Sequence, residues 1–245
     1  MNATNIQAAI VTGVSRGLGE ALAVVLLARG FTVLGIGRLS SMALRGARYQ
    51  FVECDLSKPA LIAAAVTPAL RELAERQPTS VTLVNNAAIA APAGVLGAID
   101  AADLEMAIAT NATAPIVLVD LFCRAFTGGN IARRVVNVSS GAAQSAIAGS
   151  SAYCVSKAAL EMLTKSLAAD HPNVESIAVR PGIFDTGMQA YLRSRDPAQF
   201  PSVELFRGFK AKKLLKDPKD VAVRIVERLV EGKVEQGRIY THAEL

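Results

Sequence analysis

The sequence predicts an α/β fold, a doubly wound parallel sheet of about seven strands with helices on both faces. Three observations predict it. Short runs rich in apolar and β-branched residues alternate with longer helical patterns along the whole chain. A glycine-rich turn lies directly between the first apolar run and the first helical pattern. Hydrophobic residues make up 51% of the 245 and charged residues 19%, a balance that suits a large buried core and argues against disorder. No linker, repeat or low-complexity tract divides the chain, so 1–245 reads as a single domain.

The elements follow in order. A buried strand over 8–11 leads through the glycine-rich turn into a helix over 16–29, which Gly30 ends. Strands are expected over 32–36 and 49–54. Ser57 is placed to cap an alanine-rich helix running towards Arg76, and a strand over 81–84 follows. Helical patterns cover 101–110 and 114–126, then come a strand at 134–138, a long helix at 153–169 and a strand at 174–179. The stretch 188–216 shows no clear periodicity and carries Pro197 and Pro201, so it reads as a long functional loop, a lid over a substrate. Pro218 opens a last helix to about 230, and 238–241 closes the sheet.

Composition excludes several classes. Cys54, Cys123 and Cys154 are widely separated with no CxxC pair, which gives neither a metal site nor a disulfide framework. The strongly apolar run at 21–28 is too short to span a bilayer, and residues 1–5 lack the basic start of a leader. A cytoplasmic location without membrane contact is the expectation. The net charge of +5 suits an anionic ligand such as a phosphorylated cofactor and is weak support for nucleic acid.

Thr12-Gly13-Val14-Ser15-Arg16-Gly17-Leu18-Gly19 spans the junction from strand to helix. Glycines there let backbone turn tightly and approach a pyrophosphate resting on the positive end of the helix. The spacing is GxxxGxG rather than GxGxxG, and a glycine-rich turn also arises for purely steric reasons. The second strand ends at Gly35-Ile36-Gly37-Arg38, without the carboxylate that accepts hydrogen bonds from the ribose of NAD. Arg38, with Arg16 on the same side, suits the 2′-phosphate of NADP(H). Solvated surface positions are the alternative for both arginines.

Tyr153 and Lys157 stand four apart, on one face of the predicted helix. A tyrosine titrating near 10 is a poor acid–base group at neutral pH. A neighbouring ammonium and a positively charged nicotinamide are both expected to lower that value. Ser140, just past the fifth strand, can hold a carbonyl beside the tyrosine and stabilise charge growing on its oxygen. Taken singly, a Tyr/Lys pair is also a common surface contact, and a Ser-Ser pair after a strand also caps turns.

Taken in order, these residues resemble the short-chain dehydrogenase/reductase family over nearly the whole chain. The matching elements are the glycine-rich turn, Asp55-Leu56, Asn85-Asn86-Ala87, Asn111, Ser140, Tyr153-Cys154-Val155-Ser156-Lys157 and Pro181-Gly182. The resemblance implies a Rossmann-type fold, with Gly13, Ser15, Arg16, Gly17, Leu18 and Gly19 around the pyrophosphate. It implies that Asp55 bonds the adenine, that Leu56 flanks it, and that Asn86 and Ala87 line the adenosine side. It further implies that Asn111 steadies the site and a water-mediated proton relay to Lys157, and that Ser140 and Tyr153 act on the carbonyl. Lys157 would also bind the nicotinamide ribose, while Pro181, Gly182, Ile183 and Thr186 frame the nicotinamide. Ala88 departs from the family's usual glycine.

Arg134-Val135-Val136-Asn137-Val138-Ser139-Ser140, Asp185-Thr186-Gly187-Met188-Gln189 and Phe209-Lys210-Ala211-Lys212 are similar to the sepiapterin reductase and benzil or diketone reductase branch. By that likeness Glu244 is placed to anchor a pterin; a glutamate in a solvated tail is the alternative. The basic run Arg207, Lys210, Lys212, Lys213 and Lys216 reads as a solvated face, or as a guide for anionic ligands. The leading expectation is an NADPH-dependent carbonyl reductase for a small-molecule ketone or vicinal dicarbonyl, in a homodimer or homotetramer. The helix over 116–126 suits such pairing but suits a core equally. A sensor that binds NADP without turnover competes, and nucleic-acid binding through the basic run is weaker, since no recognised module accompanies Phe206 and Phe209.

Overall fold

Alternate residues of the first strand part to opposite faces in a computed structural model, which describes residues 6–245. In β1 (Gln7–Thr12) Ala9 and Val11 enter one buried cluster, and Ala8 and Ile10 enter the other. A strand buried on both sides reads as a continuous apolar run, which is why its sequence lacks alternation. The same partition holds in β2 (Thr32–Gly37), with Val33 on one face and Leu34 and Ile36 on the other. β3 (Tyr49–Glu53), β4 (Ser80–Asn85), β5 (Ala132–Val138), β6 (Glu175–Arg180) and β7 (Ile239–Thr241) complete one sheet in the order β3-β2-β1-β4-β5-β6-β7. Every pairing is parallel, so the chain crosses over between strands, through helices everywhere except from β2 to β3, where 38–48 carries no helix. The strand order reverses between β1 and β4, and the crevice at such a switch point is where open α/β sheets take their ligands.

One face is covered by α1 (Gly17–Ala28) and α8 (Pro218–Ile225), whose Leu22, Leu26, Val221 and Ile225 share a core with the sheet. The other face carries α2 (Pro59–Glu75) and α4 (Ala114–Ala125) through Ile62, Val66, Leu118 and Phe122, together with Leu167 of α5 (Ser151–Asp170). α3 (Ala101–Ile108) enters α4 through one wide π turn, Ala109–Thr113. The stretch Ala101–Ala125 is long and apolar enough to cross a membrane by length and composition, its most apolar 18-residue window having a mean hydropathy of 1.6. Half of it is buried in this fold, and it packs on α2 and α5, so it is a core helix.

Two local expectations are corrected. Ser57 does not cap α2: its backbone N–H and hydroxyl both donate to Asp55 Oδ1, at 3.1 and 2.8 Å, and the helix starts at Pro59 after Lys58. The stretch 188–216 is not a loop. It holds most of α6 (Gly187–Arg193) and all of α7 (Val203–Ala211), whose Leu192, Val203 and Phe206 bury with Phe200, Ala90 and Ala93 in a small third core. Residues 1–5, read as lacking a leader, lie outside the described residues.

Candidate active site

The glycine-rich turn is shaped by close backbone approach. Gly13 and Gly17 adopt φ of +73° and +63°, which side chains rarely tolerate. A Cβ on Gly19 would lie 2.2 Å from the Gly13 carbonyl oxygen and 2.4 Å from Asn86 Nδ2. Helix α1 therefore begins hard against β1, and Arg16 at its N-cap position forms no side-chain cap. Unpaired N–H groups at a helix start, reached over bare backbone, fit a pyrophosphate. Leu18 buries its side chain in the core, so it can meet a ligand only through its backbone. Ser15, Arg16 and Arg38 are exposed.

Thr12 ties this turn to the next strand. Its hydroxyl accepts from Asn86 N at 3.0 Å and Ala87 N at 2.9 Å, and its carbonyl accepts from Asn86 Nδ2 at 2.9 Å. Across β2, hydrogen bonds from Ser57 hold Asp55 below the usual carboxylate range against the opposing pull of burial, and Arg38 assists from nearby. Leu56 is buried in the core beneath. Pro181, Gly182, Ile183 and Thr186 follow β6, and Thr186 reaches back to the turn, its methyl 3.3 Å from where a Gly17 Cβ would sit. Gly182 has φ +84°, with His242 packed against it. Residues nearly 170 positions apart thus line one crevice above β1 and β6.

On the far side of that crevice, Ser140 lies two residues past β5 and opens a single 3₁₀ turn (Gly141–Ala143). Its hydroxyl accepts from Ala142 N at 3.2 Å and stands near enough to the Tyr153 phenol to lower its pKa, so turn cap and tyrosine neighbour are both true of it. Tyr153 stands in the first turn of α5. Burial pushes its phenol up to about 12, against the smaller lowering effect of Ser140. Lys157, one helical turn on, is buried; Nζ donates to Val138 O at 2.7 Å and lies 5.6 Å from the Tyr153 ring centroid. Burial brings its ammonium down to about 8. In the protein alone burial thus outweighs Ser140 and keeps the phenol high; the expected lowering by ammonium and nicotinamide together concerns the complex with cofactor. Among the protein's own groups Tyr153 is a protonated phenol at neutral pH.

Asn111 lies in the π turn and is fully buried. Its Oδ1 accepts from Ile89 N and its Nδ2 donates to Ile89 O, both at 2.8 Å, and Nδ2 also donates to Ser156 Oγ at 3.2 Å. Ser156 in turn donates to the Tyr153 carbonyl at 2.8 Å. Asn111 therefore braces the segment after β4 against α5. The sequence reading passed over Thr12, although its place before Gly13 marked it. It also passed over Glu161, one turn beyond Lys157, and Arg180, just before Pro181; these two meet in a partly buried ion pair at 2.7 Å. At the C-terminus, Glu244 accepts from Thr241 N, Thr241 Oγ1 and Arg238, at 2.8, 2.8 and 2.7 Å. Both of its carboxylate oxygens are thus engaged in the final turn. In the basic run, Lys210 pairs with Asp185 at 2.5 Å and Arg207 with Glu204 at 2.6 Å.

Residues 7–197 match the profile of the short chain dehydrogenase family. The chain belongs to that family and is an oxidoreductase using a nicotinamide cofactor. Its relatives include a benzil reductase ((S)-benzoin forming) of Bacillus subtilis, 32% identical over 94% of this chain and 96% of the relative. A sepiapterin reductase of Meriones unguiculatus is 34% identical, over 77% of this chain and 79% of its own length. A short-chain dehydrogenase/reductase of Saccharomyces cerevisiae superposes with a TM-score of 0.83, at 27% identity and 96% coverage of both chains. These likenesses establish the seven-stranded Rossmann-type fold and the family expected from the motifs.

Proposed function

We propose that this protein is an NADPH-dependent carbonyl reductase for a ketone or vicinal dicarbonyl, with Tyr153 as proton donor. One observation carries the reading: the Ser140 hydroxyl acts on the Tyr153 phenol, and the buried Lys157 ammonium lies 5.6 Å from the same ring. NADPH, when bound, supplies the hydride. Tyr153, kept protonated by burial, hands its proton to the carbonyl oxygen as negative charge grows there. Ser140 donates a hydrogen bond to the same oxygen. Lys157 holds the nicotinamide ribose, and its ammonium shares the charge left on the phenolate. Asn111 keeps α5 in register with the segment after β4 and stands at the head of a relay to Lys157.

Gly13, Ser15, Arg16, Gly17, Leu18 and Gly19 cradle the pyrophosphate, and Asp55, Leu56, Asn86 and Ala87 surround the adenosine. Arg38, with Arg16, takes the 2′-phosphate, since no carboxylate occupies the end of β2. Pro181, Gly182, Ile183 and Thr186 frame the nicotinamide. Residues 188–216 act as a lid on a single domain, 1–245, and exclude water from the reacting carbonyl. Exposed Ile116 on α4 and Val155 and Met162 on α5 suit a homodimer or homotetramer in the cytoplasm. The relatives' names favour a benzil- or sepiapterin-type substrate. A panel of ketones, dicarbonyls and sepiapterin, run with NADPH and NADH in parallel, tests this reading. NADPH oxidation that outpaces NADH oxidation supports it; bound NADPH with no turnover on any carbonyl points to a sensor instead.

A further inference from the structure

Behind the proposed catalytic face lies a partly buried ion pair that the reduction itself does not use. Glu161 is 8% exposed on α5, one turn beyond Lys157 and two beyond Tyr153. Its carboxylate receives three hydrogen bonds: from Ser139 Oγ at 2.8 Å, and from Arg180 Nε and Nη2 at 2.7 Å each. Arg180 also donates through Nη1 to Gln144 Oε1 at 2.7 Å. Ser139 precedes Ser140, Gln144 follows the 3₁₀ turn that Ser140 opens, and Arg180 precedes Pro181. One carboxylate thus joins the end of β5, the end of β6 and the helix carrying the tyrosine and lysine.

Such an arrangement is expensive as a stabilising device. Burying a carboxylate and a guanidinium costs several kcal/mol, which their attraction largely offsets, so an apolar pair of similar volume is commonly as stable or more so. What a forked ion pair adds is direction: two parallel bonds fix the plane and distance of both partners. The elements it fixes are the three that bring Ser140, Tyr153 and Pro181 together, where a misplacement near 1 Å costs about a hundredfold in rate.

We infer that Glu161 and Arg180, with Ser139, are positioning residues that hold the proton-donating pair Tyr153–Ser140 in reach of the substrate carbonyl. The inference rests on the proposed reductase reading. Replacing the pair by apolar residues, Glu161→Met with Arg180→Met, removes the direction without leaving a lone charge. The expected result is an unchanged thermal midpoint and NADPH dissociation constant, with kcat at saturating NADPH lowered by about tenfold or more. Ser139→Ala, which deletes one bond and should fold readily, is expected to lower kcat by about threefold to tenfold with the same cofactor affinity. Wild-type kcat in either folded variant overturns the inference. So does a loss in which kcat, cofactor affinity and thermal midpoint fall together, which is what a merely structural role predicts. Tyr153→Phe, assayed alongside, separates the two claims: a fully active Tyr153→Phe removes the reductase mechanism, whereas an inactive one beside wild-type pair variants removes only the positioning role.

Discussion

On the β1–β4 side of the crevice backbone does the shaping, whereas on the β5–β6 side side chains do. Gly13, Gly17 and Gly19 supply positive φ and close approach, and nearby polar side chains such as Thr12 bond mainly to backbone. Across the crevice, side chains meet in two groups, Ser139–Glu161–Arg180 and Ser140–Tyr153–Lys157. A surface made of backbone reads a shape common to many ligands. A surface made of side chains can tune a proton. In the proposed function the first wall takes the pyrophosphate and adenosine, the second takes the nicotinamide end and the chemistry, and substitutions on each should fail in different ways.

The largest effect is expected at the chemistry wall. Tyr153→Phe should lower kcat by about 10²–10⁴-fold while leaving NADPH affinity nearly unchanged, as read by steady-state turnover and fluorescence titration. At the binding wall Gly19→Ala should do the reverse. Its methyl would collide with the Gly13 carbonyl. The added strain of about 1–3 kcal/mol should weaken NADPH binding by roughly tenfold or more, with a smaller change in kcat at saturation. A Gly19→Ala protein that binds NADPH normally but turns over slowly would break the division.

Lys157 sharpens it through pH. Its ammonium titrates near 8 in the fold against 10.5 when free. Below pH 8 both folded and unfolded chains hold the proton, and the cost of burying it, about 3 kcal/mol, is present in full. Between 8 and 10.5 only the unfolded chain holds it, so this contribution makes the fold more stable as pH rises. Lys157→Met should lack that gain, so denaturant midpoints of variant and wild type should converge between pH 7 and 9.5. Parallel curves would show that the ammonium is not buried as described. Glu244→Ala should have the smallest effect. Both carboxylate oxygens are engaged with Thr241 and Arg238, so the variant should loosen the last turn and leave the ratio of KM values for a pterin and a diketone unchanged. A selective rise for the pterin would restore Glu244 as a substrate anchor.

Much of the binding wall was legible because its signals are local. GxxxGxG, the missing carboxylate at the end of β2 and the buried strands each lie within a few residues of what they shape. The chemistry wall was legible only where spacing follows a helix, as for Tyr153 and Lys157. The Glu161–Arg180 pair joins residues 19 apart on different elements, and no local pattern announces that meeting. Helix α7 was missed for another reason. Val203, Phe206 and Phe209 do recur at helical spacing, but the run is short and flanked by Pro201 and several lysines, so its third core was read as a loop. The burial that raises the tyrosine's pKa in the protein alone was not legible either, because sequence spacing shows a neighbouring charge and says nothing of burial.

The most direct measurement follows isotope from cofactor to product. NADPH deuterated at the reactive nicotinamide carbon would be incubated with the protein and a vicinal diketone, and the product examined by mass spectrometry. The account predicts a hydroxyketone carrying one deuterium on its new carbinol carbon, formed by wild type and lost with Tyr153→Phe. Cofactor that binds tightly while no deuterium reaches any carbonyl compound would contradict it.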